Sequence, residues 1–190
     1  MDDKFIAVIV AFSAVSVSGL VLTLWKNIQK KHIIVENDQG SYLLFWIVVP
    51  TCLVIAFTAY FTGVGNLHFT LYCVSAGVLM VFAGLYVRWK SILSLGFAYT
   101  AYVAIITDHH LKTDGMFKHV RHPSYTGMLM CYTGLGITMH NWISILVLMA
   151  GPLVVALNRI KMEEKMLVQH FGGTYLEYMK RTERLIPLVY

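Results

Sequence analysis

Two stretches of this chain gather titratable side chains at spacings that suit chemistry. The first is DHHLKTDGMFKHVRHPSYTG, residues 108–127. His122 precedes a proline, which biases it to extended backbone, and Pro123 fits the first turn of a helix. Arg121 and His122 therefore stand at a helix N-terminus, where free amides and the helix dipole favour an anion such as a carboxylate or phosphate. The second is NRIKMEEKMLVQHFGGTYLEYMKRTERLIP, residues 158–187. Arg159 and Glu163 are four apart and share a helix face, with Glu164 beside them. Acidic groups beside so much apolar sequence are expensive unless they are paired or at work.

Each group also has a structural reading. Arg121 and Lys118 suit headgroup anchors, and Arg159 with Glu163 suits a plain ion pair along a helix. The adjacent His109 and His110 have only Asp108 at ligand spacing, so no metal is expected. Met128, Met130, Met139 and Met149 read as filling for apolar helices, and Tyr175 and Tyr178 as packing or interfacial residues.

The elements that must position these groups are apolar. Of 190 residues, 57% are hydrophobic and 13% charged, against roughly 45–50% and 25% in soluble domains, which marks a membrane protein. Runs at 5–25, 41–62 and 67–89 reach the ~20 residues that cross a bilayer core. The first starts MDDK rather than with a basic leader, so it reads as a retained span, not a cleaved signal. Runs at 124–139 and 142–157 form a hairpin hinged at His140-Asn141; each is short and is expected to continue into flanking helix. Asp114-Gly115 reads as a turn, and Phe171-Gly172-Gly173 as a helix stop before a last helix that starts near Thr174 and ends before Pro187. Residues 91–106 read as an interfacial or partly extended connector.

Lys26, Lys30, Lys31, Arg88, Lys90 and the basic residues of 112–121 and of the C-terminal region all fall on one side of such a bundle. By the positive-inside rule that side is cytoplasmic and the N-terminus lies outside. The net charge of +5 then reflects topology and anionic lipid; without a basic stripe carrying aromatics, nucleic acid is not an expected partner. Cys52, Cys73 and Cys131 lie within spans, share no metal-like spacing, and read as packing residues.

The two polar stretches together resemble the C-terminal core of the isoprenylcysteine carboxyl methyltransferases and the related integral-membrane phospholipid methyltransferases. The resemblance covers about 100–190 and rests on His109, Leu111, Thr113, Gly115, the run Arg121, His122, Pro123, Ser124, Tyr125 and Gly127, then Arg159, Glu163, Glu164, Phe171, Gly172, Tyr175 and Tyr178. It implies an all-α integral membrane protein of about five transmembrane helices, with a cytosolic cofactor pocket formed by the 108–125 connector and the C-terminal helical region. Residues 1–90 would be three N-terminal spans and 91–190 the methyltransferase core.

The implied cofactor is S-adenosylmethionine. By family position, His109, His110, Leu111, Lys112, Phe117, His122, Pro123, Ser124, Tyr125 and Glu163 would line it. Arg121 and Glu164 join that set as immediate neighbours, and Tyr102 by a weaker match. Arg159 would meet the acceptor. The family usually has tyrosine where Phe117 stands, so only ring packing remains there. The implied acceptor is lipophilic and enters from the bilayer, most simply the carboxylate of an isoprenylcysteine-like compound; a phospholipid amine or a thiol is the alternative. No obligate protein partner is implied. The membrane would be the inner membrane of a prokaryote or the endoplasmic reticulum of a eukaryote.

Two rivals stand beside this reading. A sterol-reductase-like enzyme would use a nicotinamide nucleotide, but the Glu163-Glu164 pair and the small size oppose it. A non-enzymatic scaffold would use the polar clusters only as anchors.

Overall fold

The structure is a computed structural model that describes residues 3–29, 33–36, 40–96, 104–106 and 111–186. In chain order its elements are α1 (Asp3–Gln29), β1 (Ile33–Glu36), α2 (Ser41–Thr62), α3 (Leu71–Leu95), β2 (Ala104–Ile106), a 3-10 turn (Gly115–Lys118), α4 (Pro123–Thr138), α5 (Trp142–Phe171) and α6 (Gly173–Lys180). The architecture is helical, with one small addition. β1 and β2 pair antiparallel, Ile33 with Ile106 and Glu36 with Ala104, so part of the 91–106 connector is extended and tied to the loop after α1.

Four of the helices, α1, α2, α3 and α5, are long and apolar enough to cross a membrane. Their outer faces carry exposed large apolar side chains such as Val17, Leu20, Ile47, Val54, Leu79 and Val154, the surface that hydrocarbon covers. α4 has 16 residues, roughly 24 Å at 1.5 Å per residue, and falls short of the ~20 residues of a straight span. The expected extension into flanking helix therefore occurs in α5 and not in α4: His122 stops α4 at one end and the hinge at His140 and Asn141 at the other. The 30 residues of α5 run roughly 45 Å, about 15 Å more than the hydrocarbon core. Its second half thus carries Arg159, Glu163 and Glu164 to and beyond the boundary.

α3 and α4 touch backbone to backbone. A Cβ on Gly84 would lie 2.7 Å from the Gly127 carbonyl oxygen, and one on Gly134 would lie 2.7 Å from that of Gly77. Gly77 and Gly84 on one helix, and Gly127 and Gly134 on the other, repeat every seven residues, so each pair sits on one face. Small residues at such contacts let helices approach closely where lipid supplies no hydrophobic drive. At the end of this seam Arg88 Nη1 donates to the Ser124 carbonyl at 3.2 Å, tying α3 to the first turn of α4. α1 joins the pair through Trp89 Nε1, which donates to Ser18 Oγ at 2.9 Å.

The far end of the bundle is closed by Asn141. Its fully buried side chain caps α5 by accepting from the amides of Ile143 and Ser144 at 3.0 and 3.1 Å. Its Nδ2 donates to the Val64 carbonyl at 2.7 Å and to Asn66 Oδ1 at 3.1 Å. The two hairpin loops are thereby locked together opposite the polar clusters.

Candidate active site

At the other end, His119 to His122 forms the approach to α4, and Pro123 occupies its first turn. The amides of Tyr125 and Thr126 bond the His122 carbonyl at 3.0 and 3.2 Å, so the helix starts directly after the imidazole. The chain after α6 returns along this approach. The amides of Arg121 and His122 donate to the carbonyls of Glu183 and Arg184 at 2.8 and 3.0 Å, and the Glu183 amide donates to the His119 carbonyl at 3.2 Å. Val120 and Glu183 form a parallel bridge, and Thr126 Oγ1 donates to the Leu185 carbonyl at 2.6 Å.

α5 presents its two glutamates to this junction. His122 lies between them, Nδ1 at 3.5 Å from Glu163 Oε2 and Nε2 at 3.6 Å from Glu164 Oε1. Burial alone pulls the imidazole toward its neutral form, but the negative charges of Glu163 and Glu164 close on either side outweigh it and raise the His122 pKa above the ordinary value.

Glu163 also accepts from the Tyr125 hydroxyl. That hydroxyl accepts in turn from Arg159 Nε at 3.0 Å. Arg159 is only 6% exposed; its Nη1 donates to Ser41 Oγ at 3.2 Å, and its Nη2 lies 3.9 Å from Glu163 Oε1. The phenol of Tyr125 thus bridges the arginine and the carboxylate.

Glu164 faces the other way, into two guanidiniums. Arg121 Nε donates to Oε1 at 2.9 Å, and Arg184 Nε donates to Oε2 at 3.0 Å. Arg121 Nη1 also donates to the Met179 carbonyl at 3.1 Å and to the Thr182 carbonyl. α6 packs below: the Tyr178 hydroxyl donates to the Phe117 carbonyl at 2.6 Å, and burial pushes its pKa up to about 12. Three guanidiniums face two carboxylates here, so the cluster holds surplus positive charge even with His122 neutral. Among the described residues no group of His, Cys, Asp or Glu is arranged to hold a metal ion.

A sequence profile of the phospholipid methyltransferases matches residues 72–174, from α3 into α6. The chain belongs to that family. Its relatives include the protein-S-isoprenylcysteine O-methyltransferase of Schizosaccharomyces pombe, 35% identical over 127 residues that make up 65% of this chain and 53% of the relative. Protein-S-isoprenylcysteine O-methyltransferase B of Arabidopsis thaliana is 32% identical over 115 residues, 60% of this chain and 58% of the relative. The chain thus spans somewhat over half the length of these relatives. A solved structure of the eukaryotic intramembrane Ras methyltransferase ICMT (isoprenylcysteine carboxyl methyltransferase) superposes with a TM-score of 0.63 over 82% of this chain and 55% of that one. At 23% identity that likeness speaks for the fold.

In this phospholipid methyltransferase family member, the expected site residues Arg121, His122, Tyr125, Arg159, Glu163 and Glu164 meet in one cluster, with Pro123 and Ser124 in the adjoining turn. Phe117 is buried, and its carbonyl is tied to α6. Lys112 instead pairs with exposed Asp114 at 2.9 Å, and Leu111 is half-buried. Tyr102, His109 and His110 lie outside the described residues. Ser41 and Arg184 belong to the cluster and were not anticipated. Neither has a periodic relation to its partner, since Ser41 precedes Arg159 by 118 residues and Arg184 follows Glu164 by 20.

Proposed function

We propose that the chain is an integral-membrane methyltransferase that uses S-adenosylmethionine and methylates a lipophilic acceptor, the carboxylate of an isoprenylcysteine-like compound. The observation that carries this is the Arg159, Tyr125 and Glu163 array. An arginine at the end of an apolar helix bundle is linked through one phenol to a carboxylate on the side of the helix N-terminus. The curated relatives' names point to the same acceptor.

The residues present fit the cofactor's chemistry. Its zwitterionic end needs a carboxylate for an ammonium group and donors for a carboxylate. Glu163, whose side chain is 23% exposed, suits the first. His122 suits the second, because its buried Nε2, 3.6 Å from Glu164 Oε1, has no hydrogen-bond partner among the described residues and stands at the start of α4. The Phe117 ring offers apolar packing. When bound, the cofactor supplies a methyl group made electrophilic by a sulfonium.

The chain's own residues then have little proton chemistry to do. An acceptor carboxylate, with an ordinary pKa of roughly 3.3–3.7 at a chain terminus, is already ionised, and no general base is required. Arg159 would orient it with parallel donors, the apolar bundle would exclude water, and Tyr125 would keep the arginine aligned. By the positive-inside rule, the basic residues at this end support a cytoplasmic location for the site, in an inner or endoplasmic-reticulum membrane.

The test is transfer of labelled methyl from S-adenosylmethionine to an S-farnesylcysteine analogue, to phosphatidylethanolamine and to a small thiol, with the product identified. Label on the prenylcysteine carboxylate supports the reading. Label on the lipid amine or thiol alone replaces the acceptor, and protection by a reduced nicotinamide nucleotide but not by S-adenosylhomocysteine overturns the cofactor.

A further inference from the structure

Glu163 and Glu164 are neighbours in sequence but not in circumstance. Glu163 keeps a partly open side chain and touches Tyr125 and His122, while the Glu164 side chain is 6% exposed and is gripped by two arginines. One of these, Arg121, belongs to the approach to α4. The other, Arg184, belongs to the return segment at 182–186, which lies beyond the matched family region of 72–174. Its Nε and Nη2 both reach Glu164 Oε2, at 3.0 and 2.9 Å, while Arg121 holds Oε1 at 2.9 Å. The same segment pairs its backbone with His119, Arg121 and His122.

We propose that Arg184 is a positioning residue of the methyl-transfer site: with Arg121 it clasps Glu164 from both sides, fixing the turn at Arg121 and His122 against α5 so that Glu163 alone is presented to the ligand. This rests on the functional reading above and goes beyond it in separating the two carboxylates, one for the ligand and one for the scaffold. A charged hydrogen bond formed in a buried place is strong and directional, and removing one partner leaves the other charge unpaired. The clasp therefore transmits the position of the C-terminal segment to His122, which neither arginine replaces.

The experiment is a double-mutant cycle on the full chain in detergent, with S-adenosylhomocysteine as the probe. Arg184→Ala is expected to weaken binding about tenfold, ~1.4 kcal/mol. Placed on Glu164→Gln, the same change is expected to add less than twofold, because its route is already broken. Arg181, exposed and bonded only to the Glu177 carbonyl among the contacts described for its side chain, is the control, and Arg181→Ala should leave the affinity unchanged. A pH series adds a readout that mere stabilisation would not move. His122 is faced by Glu163 and Glu164 from α5, by Tyr125 from α4 and by its neighbour Arg121; without Arg184, Glu164 becomes a less neutralised partner. The pH midpoint of binding should rise in Arg184→Ala and return in Arg184→Lys.

Equal losses in both backgrounds, or full affinity in a folded Arg184→Ala protein, overturn the proposal. If the alanine variant does not fold, Arg184→Gln, which also removes the charge, completes the same cycle. If the unmodified protein binds no S-adenosylhomocysteine, the functional reading fails on its own account. The clasp is then read by hydrogen exchange at the amides of Arg121 and His122: faster exchange confined to them in Arg184→Ala supports it, and unchanged exchange overturns it.

Discussion

The close seam between α3 and α4 makes Gly127→Ala the sharpest test of how the fold holds the site. The new Cβ would lie 2.5 Å from the Gly84 carbonyl oxygen and 2.6 Å from the Arg88 amide nitrogen, where ordinary contacts begin at 3.4 Å. Both obstacles are helix backbone and cannot rotate aside, so the helices must part by roughly 1 Å, and overpacking of this kind costs about 1–3 kcal/mol. Arg88 is the residue that holds the Ser124 carbonyl; parting the seam there moves the start of α4, and with it His122 and Tyr125. Gly134→Ala meets the Gly77 carbonyl at 2.7 Å, about two turns farther from the site. Both variants should lose thermal stability in detergent by similar amounts. Per folded molecule, only Gly127→Ala should lose methyl transfer, by up to ~100-fold for a displacement of roughly 1 Å. A Gly127→Ala protein within about 0.5 kcal/mol of the parent would refute the seam, and equal activity in the two variants would refute its link to the site.

Three further outcomes are expected. Arg159→Lys should lower turnover or acceptor affinity at least tenfold while changing S-adenosylhomocysteine binding little, because one ammonium cannot serve both Tyr125 and Ser41 in the fork geometry; calorimetry beside labelled-methyl transfer separates the two, and equal losses would move Arg159 into the cofactor site. Glu163→Gln should weaken S-adenosylhomocysteine binding by about tenfold or more, with helix content retained; unchanged affinity in the folded variant removes its proposed role. The raised pKa of His122 sets a pH dependence of stability. The ion pairs of the imidazolium stabilise the fold fully below the unfolded value of ~6.5, and that contribution falls as pH rises from there through the higher folded value. Thermal midpoints of the parent and of His122→Gln, measured from pH 5 to 9, should converge across that window; parallel curves would show that His122 does not titrate differently in the fold.

Much of this organisation was legible in the chain itself. The boundaries of α2, the hinge at His140 and Asn141, the start of α4 at Pro123 and the stop at Gly172 all follow from local signals: apolar run length, proline, glycine and a capping asparagine. The glycine pairs at 77 and 84 and at 127 and 134 carry an equally local signal, a seven-residue spacing, that went unread because glycines inside apolar runs look like filler. The shortness of α4 follows from what bounds it, a proline at one end and a capped hinge at the other, and not from its composition.

The roles of the two glutamates belong to a different class of information. Adjacent positions on a helix point about 100° apart, so the sequence requires Glu163 and Glu164 to face different surroundings without saying which surroundings those are. Arg159 is within helical reach of Glu163 and can be paired with it by counting. Arg184 is separated from Glu164 by a helix stop, all of α6 and a reversal of the chain, and it is brought back by the backbone pairing of 183–184 with 119–122 together with the bonds from Thr126 to Leu185 and from Arg121 to Thr182. That pairing places a second guanidinium on the inner carboxylate and leaves the outer one with a phenol, an imidazole, the Arg159 guanidinium at 3.9 Å and a side chain that stays 23% exposed. Two identical residues, side by side, acquire unlike chemistry because a distant segment closes over one of them.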